Sequence, residues 1–100
     1  MSDWVIASWS PIKGGNPEEY NCMWSVENTE DDIFIDIVYN PQEKEFTVFI
    51  DVDGMLVTKE TSKDFKEILN IALPFMNFEV DVPDEEDFYE YCAKVKNGEI

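Results

Sequence analysis

The chain has 100 residues, and its 23 Asp and Glu outnumber seven basic residues, all of them Lys, for a formal charge of −16 and a pI near 4.1. With neither Arg nor His it lacks bidentate guanidinium recognition of phosphate, imidazole acid–base chemistry and imidazole metal ligation, and it has no cation surplus for a nucleic-acid backbone. Direct nucleic-acid binding and turnover of anionic substrates are thereby disfavoured, while 44% hydrophobic and 14% aromatic residues still support a folded chain.

In chain order, Trp4 to Trp9 reads as a short strand ended by Ser10-Pro11, and Ile12 to Glu19, with two Gly and one Pro, as a loop. Tyr20, Cys22, Trp24 and Val26 alternate with Asn21, Met23 and Ser25 in a second strand. After the polar link Glu27 to Asp32, the residues Ile33, Ile35, Ile37 and Tyr39 form one face of a third strand, with Phe34, Asp36 and Val38 on the other. Asn40-Pro41-Gln42-Glu43 supplies a turn, because proline presets φ at its second position. In a fourth strand Phe46, Val48, Ile50 and Val52 oppose Thr47, Phe49 and Asp51. Asp53-Gly54 is a two-residue hairpin signal, since a type I′ turn requires positive φ at both central positions, and Met55 to Lys59 returns.

Helical spacing begins after Thr61-Ser62. Thr61 and Asp64 have capping-box spacing, Phe65, Ile68, Leu69 and Ala72 form an apolar stripe, and Pro74 stops the helix near Leu73. Phe78, Val80 and Val82 alternate briefly through a link. Asp84 then caps a second helix whose stripe is Phe88, Tyr91, Cys92 and Val95 and whose stop is Asn97-Gly98. The expectation is a single α+β domain over residues 1–100, an antiparallel four- to five-stranded meander sheet followed by two C-terminal helices packed on one face.

Cys22 and Cys92 form no C-x-x-C pair, and each lies in an apolar row, so two buried thiols are expected, with a disulfide as the lesser alternative. No apolar run approaches the length of a membrane span, and MSDWVIASWSPIKGG lacks a basic n-region and a clear h-region, so no membrane association and a cytoplasmic location are expected.

Two motifs invite a catalytic or metal reading. Val48 to Val57, VFIDVDGMLV, resembles the first motif of the haloacid-dehalogenase-like phosphatases, a resemblance that would make Asp51 the nucleophile and Asp53 the acid/base. Only 46 residues follow Gly54, too few for that family's later motifs, Met55 stands where Thr or Val is usual, and the flanks alternate like hairpin arms. The hairpin turn alone accounts for these residues. Read as a calcium loop, the same stretch puts Phe49 at the first ligand position, with no helix before it. Neither cysteine has a histidine to activate it. No enzymatic activity, cofactor or metal is therefore expected.

The charge distribution carries the remaining signal. Eight acids and no base lie between Lys13 and Lys44 (Glu18, Glu19, Glu27, Glu30, Asp31, Asp32, Asp36 and Glu43). Eight more lie between Lys66 and Lys94 (Glu67, Glu79, Asp81, Asp84, Glu85, Glu86, Asp87 and Glu90), whereas residues 44 to 66 carry four Lys against five acids. Helix capping explains one or two carboxylates at Asp84 to Asp87 but not four, and self-repulsion at −16 costs stability. If the helices cover the Ile33–Ile35–Ile37 face, the opposite face shows Asp36 and Asp51 beside Phe34, Val38, Thr47 and Phe49, with Trp4 or Trp9 as further candidates for exposure and the N-terminal segment as its candidate cover. The candidate partner-binding residues are Glu30, Asp31, Asp32, Asp36, Asp81, Asp84, Glu85, Glu86, Asp87, Phe88, Tyr89 and Glu90.

In charge and element order, most clearly through DVPDEEDFYEYCAKV from Asp81 to Val95, the chain resembles small phage-encoded inhibitors that imitate nucleic acid, nearest to Cas9-blocking anti-CRISPR proteins and akin to anti-restriction proteins. The resemblance implies a non-catalytic inhibitor in which Asp84, Glu85, Glu86 and Asp87 occupy a cationic site that holds nucleic-acid phosphates. The implied partner is a basic nucleic-acid-handling protein, a nuclease or CRISPR effector, in the host cytoplasm, bound by a monomer or small homo-oligomer. An immunity protein against a basic toxin and an acidic adaptor without mimicry are the alternatives.

Overall fold

A computed structural model of the chain describes residues 4, 7–13, 20–76 and 80–99, with Lys13 and Tyr20 described in their backbone alone. The expectations for Val5, Ile6, Glu18, Glu19, Phe78 and Glu79 lie outside the described residues. Five strands, β1 (Ser8–Lys13), β2 (Tyr20–Asn28), β3 (Ile33–Asn40), β4 (Glu45–Val52) and β5 (Met55–Ser62), form one antiparallel sheet in the order β1-β2-β3-β4-β5. They are followed by α1 (Phe65–Ala72), a single 3₁₀ turn at Leu73–Met76 and α2 (Glu85–Lys96). The expected α+β meander with two C-terminal helices is the observed fold.

Alternation decides the two faces. Cys22, Trp24, Val26, Ile35, Ile37, Tyr39, Phe46, Val48 and Ile50 point inward and are at most 6% exposed. The helices cover them: Phe65, Ile68 and Ala72 of α1, Met76, and Phe88, Cys92 and Val95 of α2 are all buried. An aromatic cluster joins the layers, with the Phe46 ring 4.9 Å from Phe65 and 5.4 Å from Phe88. Burying each such ring contributes about 2–3 kcal/mol.

The turns follow their residues. Asp53 and Gly54 have φ of 53° and 79°, the type I′ signature, and Val52 pairs with Met55 across them. At the end of α2 the Gly98 N–H donates to the Val95 carbonyl and the Glu99 N–H to that of Lys94, a Schellman closure that needs the positive φ of Gly98 (75°).

Several boundaries differ from the sequence reading, and β2 runs on through Glu27 and Asn28 into what was expected to be a link. β1 begins at Ser8 and runs through Ser10-Pro11 to Lys13, because as an edge strand it tolerates proline's missing N–H. Trp9 therefore pairs with Trp24 on the inner face, where its ring stacks on Tyr91 at 5.1 Å and meets Phe88 edge-on at 4.8 Å. Trp4 packs against the core as well, so neither tryptophan belongs to the outer face. β5 continues to Ser62, since Thr61 Oγ1 bonds Thr47 Oγ1 at 2.9 Å across the ladder, and Asp64 in place of Thr61 caps α1 by accepting from the Lys66 N–H at 3.0 Å.

Candidate functional site

Five acids of the first block, Glu27, Glu30, Asp31, Asp32 and Asp36, gather around the outer face and one end of the sheet, whereas Glu43 lies in the β3–β4 turn at the other end. At the β2–β3 turn, buried Asn28 turns its side-chain oxygen to the backbone, accepting from the Glu30 N–H at 3.0 Å and the Asp31 N–H at 2.9 Å. This leaves Glu30, Asp31 and Asp32 exposed in a tight turn, with Asp32 in the left-handed region at φ 53°. The Asp53 N–H donates to the Asp32 carbonyl at 3.0 Å, which brings the β4–β5 turn and its carboxylate beside that turn.

The acidic surface continues over the outer face. In the strand register Glu27 faces Phe34 and Phe34 faces Asp51, while Ser25 faces Asp36 and Asp36 faces Phe49. Asp36 is thus diagonal to both Glu27 and Asp51, about 7–8 Å away by sheet geometry. The three carboxylates frame Phe34, which is 40% exposed. A cation enters this face where Lys59 Nζ lies 5.7 Å from the Phe49 ring centroid. β1 continues the sheet beside β2, and the helices and Val80 and Val82 pack on the inner face, so no described element lies over this surface.

The described acids of the second block sit elsewhere. α2 packs on the inner face, and its first turn lies beside that of α1: Asp64, Phe65, Lys66, Leu69, Asp84, Glu85 and Glu86 line one open cleft of about 480 Å³. This is the Tyr39–Phe46–Ser62 end of the sheet, roughly 25 Å from the Asp32–Asp53 end at ~3.3 Å per residue of β3. Here the carboxylates have local work. Asp87 Oδ2 accepts from the Asp84 N–H at 2.8 Å, and Glu85 Oε1 accepts from the Tyr89 hydroxyl at 2.7 Å. The Glu85 bond, with burial and the Glu85 charge behind it, pushes the Tyr89 phenol up to about 12. All three acids of the first turn also meet the positive end of the helix dipole, and Lys94 and Lys96 meet the negative end.

The twelve candidate residues therefore divide. Glu30, Asp31, Asp32 and Asp36 come together, whereas Asp81, Asp84, Glu85, Glu86, Asp87, Tyr89 and Glu90 belong to the opposite layer. Phe88 is corrected outright: it is fully buried, with its ring against Trp9, Phe46 and Phe65, and it offers no surface to a partner. Its place in the α2 stripe was the signal. The candidate set lacked Glu27, Asp51 and Asp53, which the fold adds to the first group. Asp51 and Asp53 were hidden because residues 44 to 66 balance along the chain, although Lys44, Lys63 and Lys66 lie at the other end of the sheet and only Lys59 reaches the outer face; alternation with Phe46, Val48 and Ile50 already placed Asp51 on the outer face. No family model, curated protein or solved structure matches the chain.

Proposed function

We propose that the chain is a non-catalytic inhibitor that imitates nucleic acid and occludes a basic site on a nucleic-acid-handling protein, of the anti-CRISPR or anti-restriction type. The observation that supports this reading is the outer sheet face, where Glu27, Asp36 and Asp51 surround exposed Phe34 and run on into Glu30, Asp31, Asp32 and Asp53. Carboxylates at this density stand in for phosphates against Lys and Arg, and the ring between them adds short-range contact. Net charge of −16 steers such a partner from a distance, so association is fast at low salt and falls as salt rises.

The acidic residues of α2 contribute to long-range attraction, and their capping role accounts for their position. The separation of the two acidic groups onto opposite layers favours a second reading, an acidic adaptor domain whose charge serves solubility. Capture from a host lysate separates the two. Under the inhibitor reading the protein retains basic nucleic-acid-binding partners at low salt, duplex DNA competes them off, and Asp36→Asn with Asp51→Asn loses them. Capture that is indifferent to salt, to competing DNA and to both substitutions removes the mimicry.

A further inference from the structure

Cys22 and Cys92 meet at the interface between sheet and helix layer, 70 residues apart in the chain. Cys22 lies on the inner face of β2 with no exposure, and Cys92 lies one turn beyond Phe88 on the buried stripe of α2. Their sulfurs are 2.7 Å apart, and the Cys22 thiol also reaches the Phe88 carbonyl at 3.5 Å. The pair is sealed on one side only. Cys92 forms part of the wall of an open cleft of about 550 Å³, together with Tyr39, Pro41, Gln42, Tyr89 and Lys96.

The two thiols are not equivalent. Cys92 lines the cleft and keeps 7% exposure, whereas Cys22 is absent from its wall and has none. Lys96 stands one turn from Cys92 on the same wall and favours an anion there. The neighbouring Cys92 and burial push the Cys22 thiol up, and the adjoining Cys22 sulfur holds Cys92 below the usual thiol range, so Cys92 ionises first.

We propose that Cys22 and Cys92 form a thiol–disulfide exchange site that takes a small-molecule disulfide of the glutathione class through this cleft, with Cys92 attacking and Cys22 resolving. The Cys92 thiolate attacks one sulfur of the incoming disulfide. A mixed disulfide forms in the cleft, the S–S bond of the reagent breaks, and its other half leaves as a thiolate that takes up the proton Cys92 released. Cys22 then loses its proton, attacks the Cys92 sulfur and displaces the second small thiol. Two protein thiols are oxidised to one disulfide, and one small disulfide is reduced to two thiols. The tyrosine rings, the Gln42 amide and the Lys96 ammonium suit a peptide-like thiol carrying carboxylates. The product ties α2 to β2 and is independent of the inhibitor reading.

The test treats the reduced full-length chain with oxidised glutathione and follows it by intact-mass spectrometry and thermal unfolding. The expected product has lost two hydrogens and carries no glutathione, and its unfolding midpoint rises by about 10 °C or more. Cys22→Ser should stop at the mixed disulfide, with one glutathione on Cys92. In Cys92→Ser the remaining Cys22 should react at least about tenfold more slowly. The proposal is overturned by a folded wild-type chain whose thiols stay intact under conditions that modify the urea-unfolded chain. Two glutathiones per chain, or equal rates in the two variants, overturn it as well. The wild-type result decides even if a variant fails to fold.

Discussion

The first turn of α2 and the outer face of the sheet carry similar charge but hold it differently. On α2, Asp87 is bonded to a backbone N–H, Glu85 to a phenol, and both lie at a helix end that favours anions. Across β2, β3 and β4 the carboxylates of Glu27 and Asp51 flank an exposed ring from either side with Asp36 diagonal to both, and no helix dipole offsets their repulsion. A run of four adjacent acids in sequence is thus largely explained by the helix it begins. Three acids scattered over 25 positions, from Glu27 to Asp51, converge on a surface that internal structure does not require.

Substitutions in the two regions have different expected effects. Phe88→Ala should have the largest effect, about 3–5 kcal/mol of stability in urea unfolding, since it empties the junction of both helices with the sheet. A smaller loss would mean that α2 is not anchored there. Asp87→Ala should cost about 1 kcal/mol by removing the acceptor for the Asp84 N–H, with helix content falling in circular dichroism.

A pH titration is expected to act more weakly on the same helix. Tyr89 holds its proton to about 12 in the folded chain against about 10 unfolded, so its contribution to stability is whole below pH 10 and is lost as the pH climbs toward 12. Glu85→Ala should return the Tyr89 ring titration, followed by NMR, toward 10; an unchanged midpoint would remove Glu85 as the cause. Asp36→Asn with Asp51→Asn should have the least effect on stability, a change within about 0.5 kcal/mol or a small gain from relieved repulsion, yet abolish salt-sensitive partner capture. Glu86→Gln should leave capture unchanged and cost no more than about 0.5 kcal/mol, from its place at the helix N-terminus. The reverse outcome, capture lost with Glu86 and retained without Asp36 and Asp51, would exchange the roles of the two regions.

Much of this architecture was legible in residue order. Period-2 alternation assigned the faces of β2, β3 and β4, Asp53-Gly54 announced the hairpin, and Asp84 and Asn97-Gly98 bounded α2. The misreadings have physical causes. Pro11 looked like a strand end because proline cannot donate to a ladder, but an edge strand needs no donor on its outer side. Thr61 looked like a cap because its spacing to Asp64 was right; the cross-strand hydroxyl pair with Thr47 claimed it instead. Charge was least legible, because a balance counted along the chain mixes Asp51 and Asp53 with Lys44, Lys63 and Lys66, which lie at the other end of the sheet, and of the four lysines only Lys59 reaches the outer face. Alternation put Asp36 and Asp51 on one face, and the strand register adds Glu27 to them across Phe34.

The meander has a consequence for how the chain folds. Each strand pairs with its immediate successor, so the sheet can zip through three described hairpins, from β2 to β5, whose contacts are local in sequence. The contact between α2 and β2 is of another kind, because joining Cys92 to Cys22 closes a loop of 70 residues. Loop-closure entropy opposes that step until the sheet offers a finished apolar face. Docking of α2 is therefore the expected late event of folding, and its loss is the expected first event of unfolding, with strands β2 to β5 still paired.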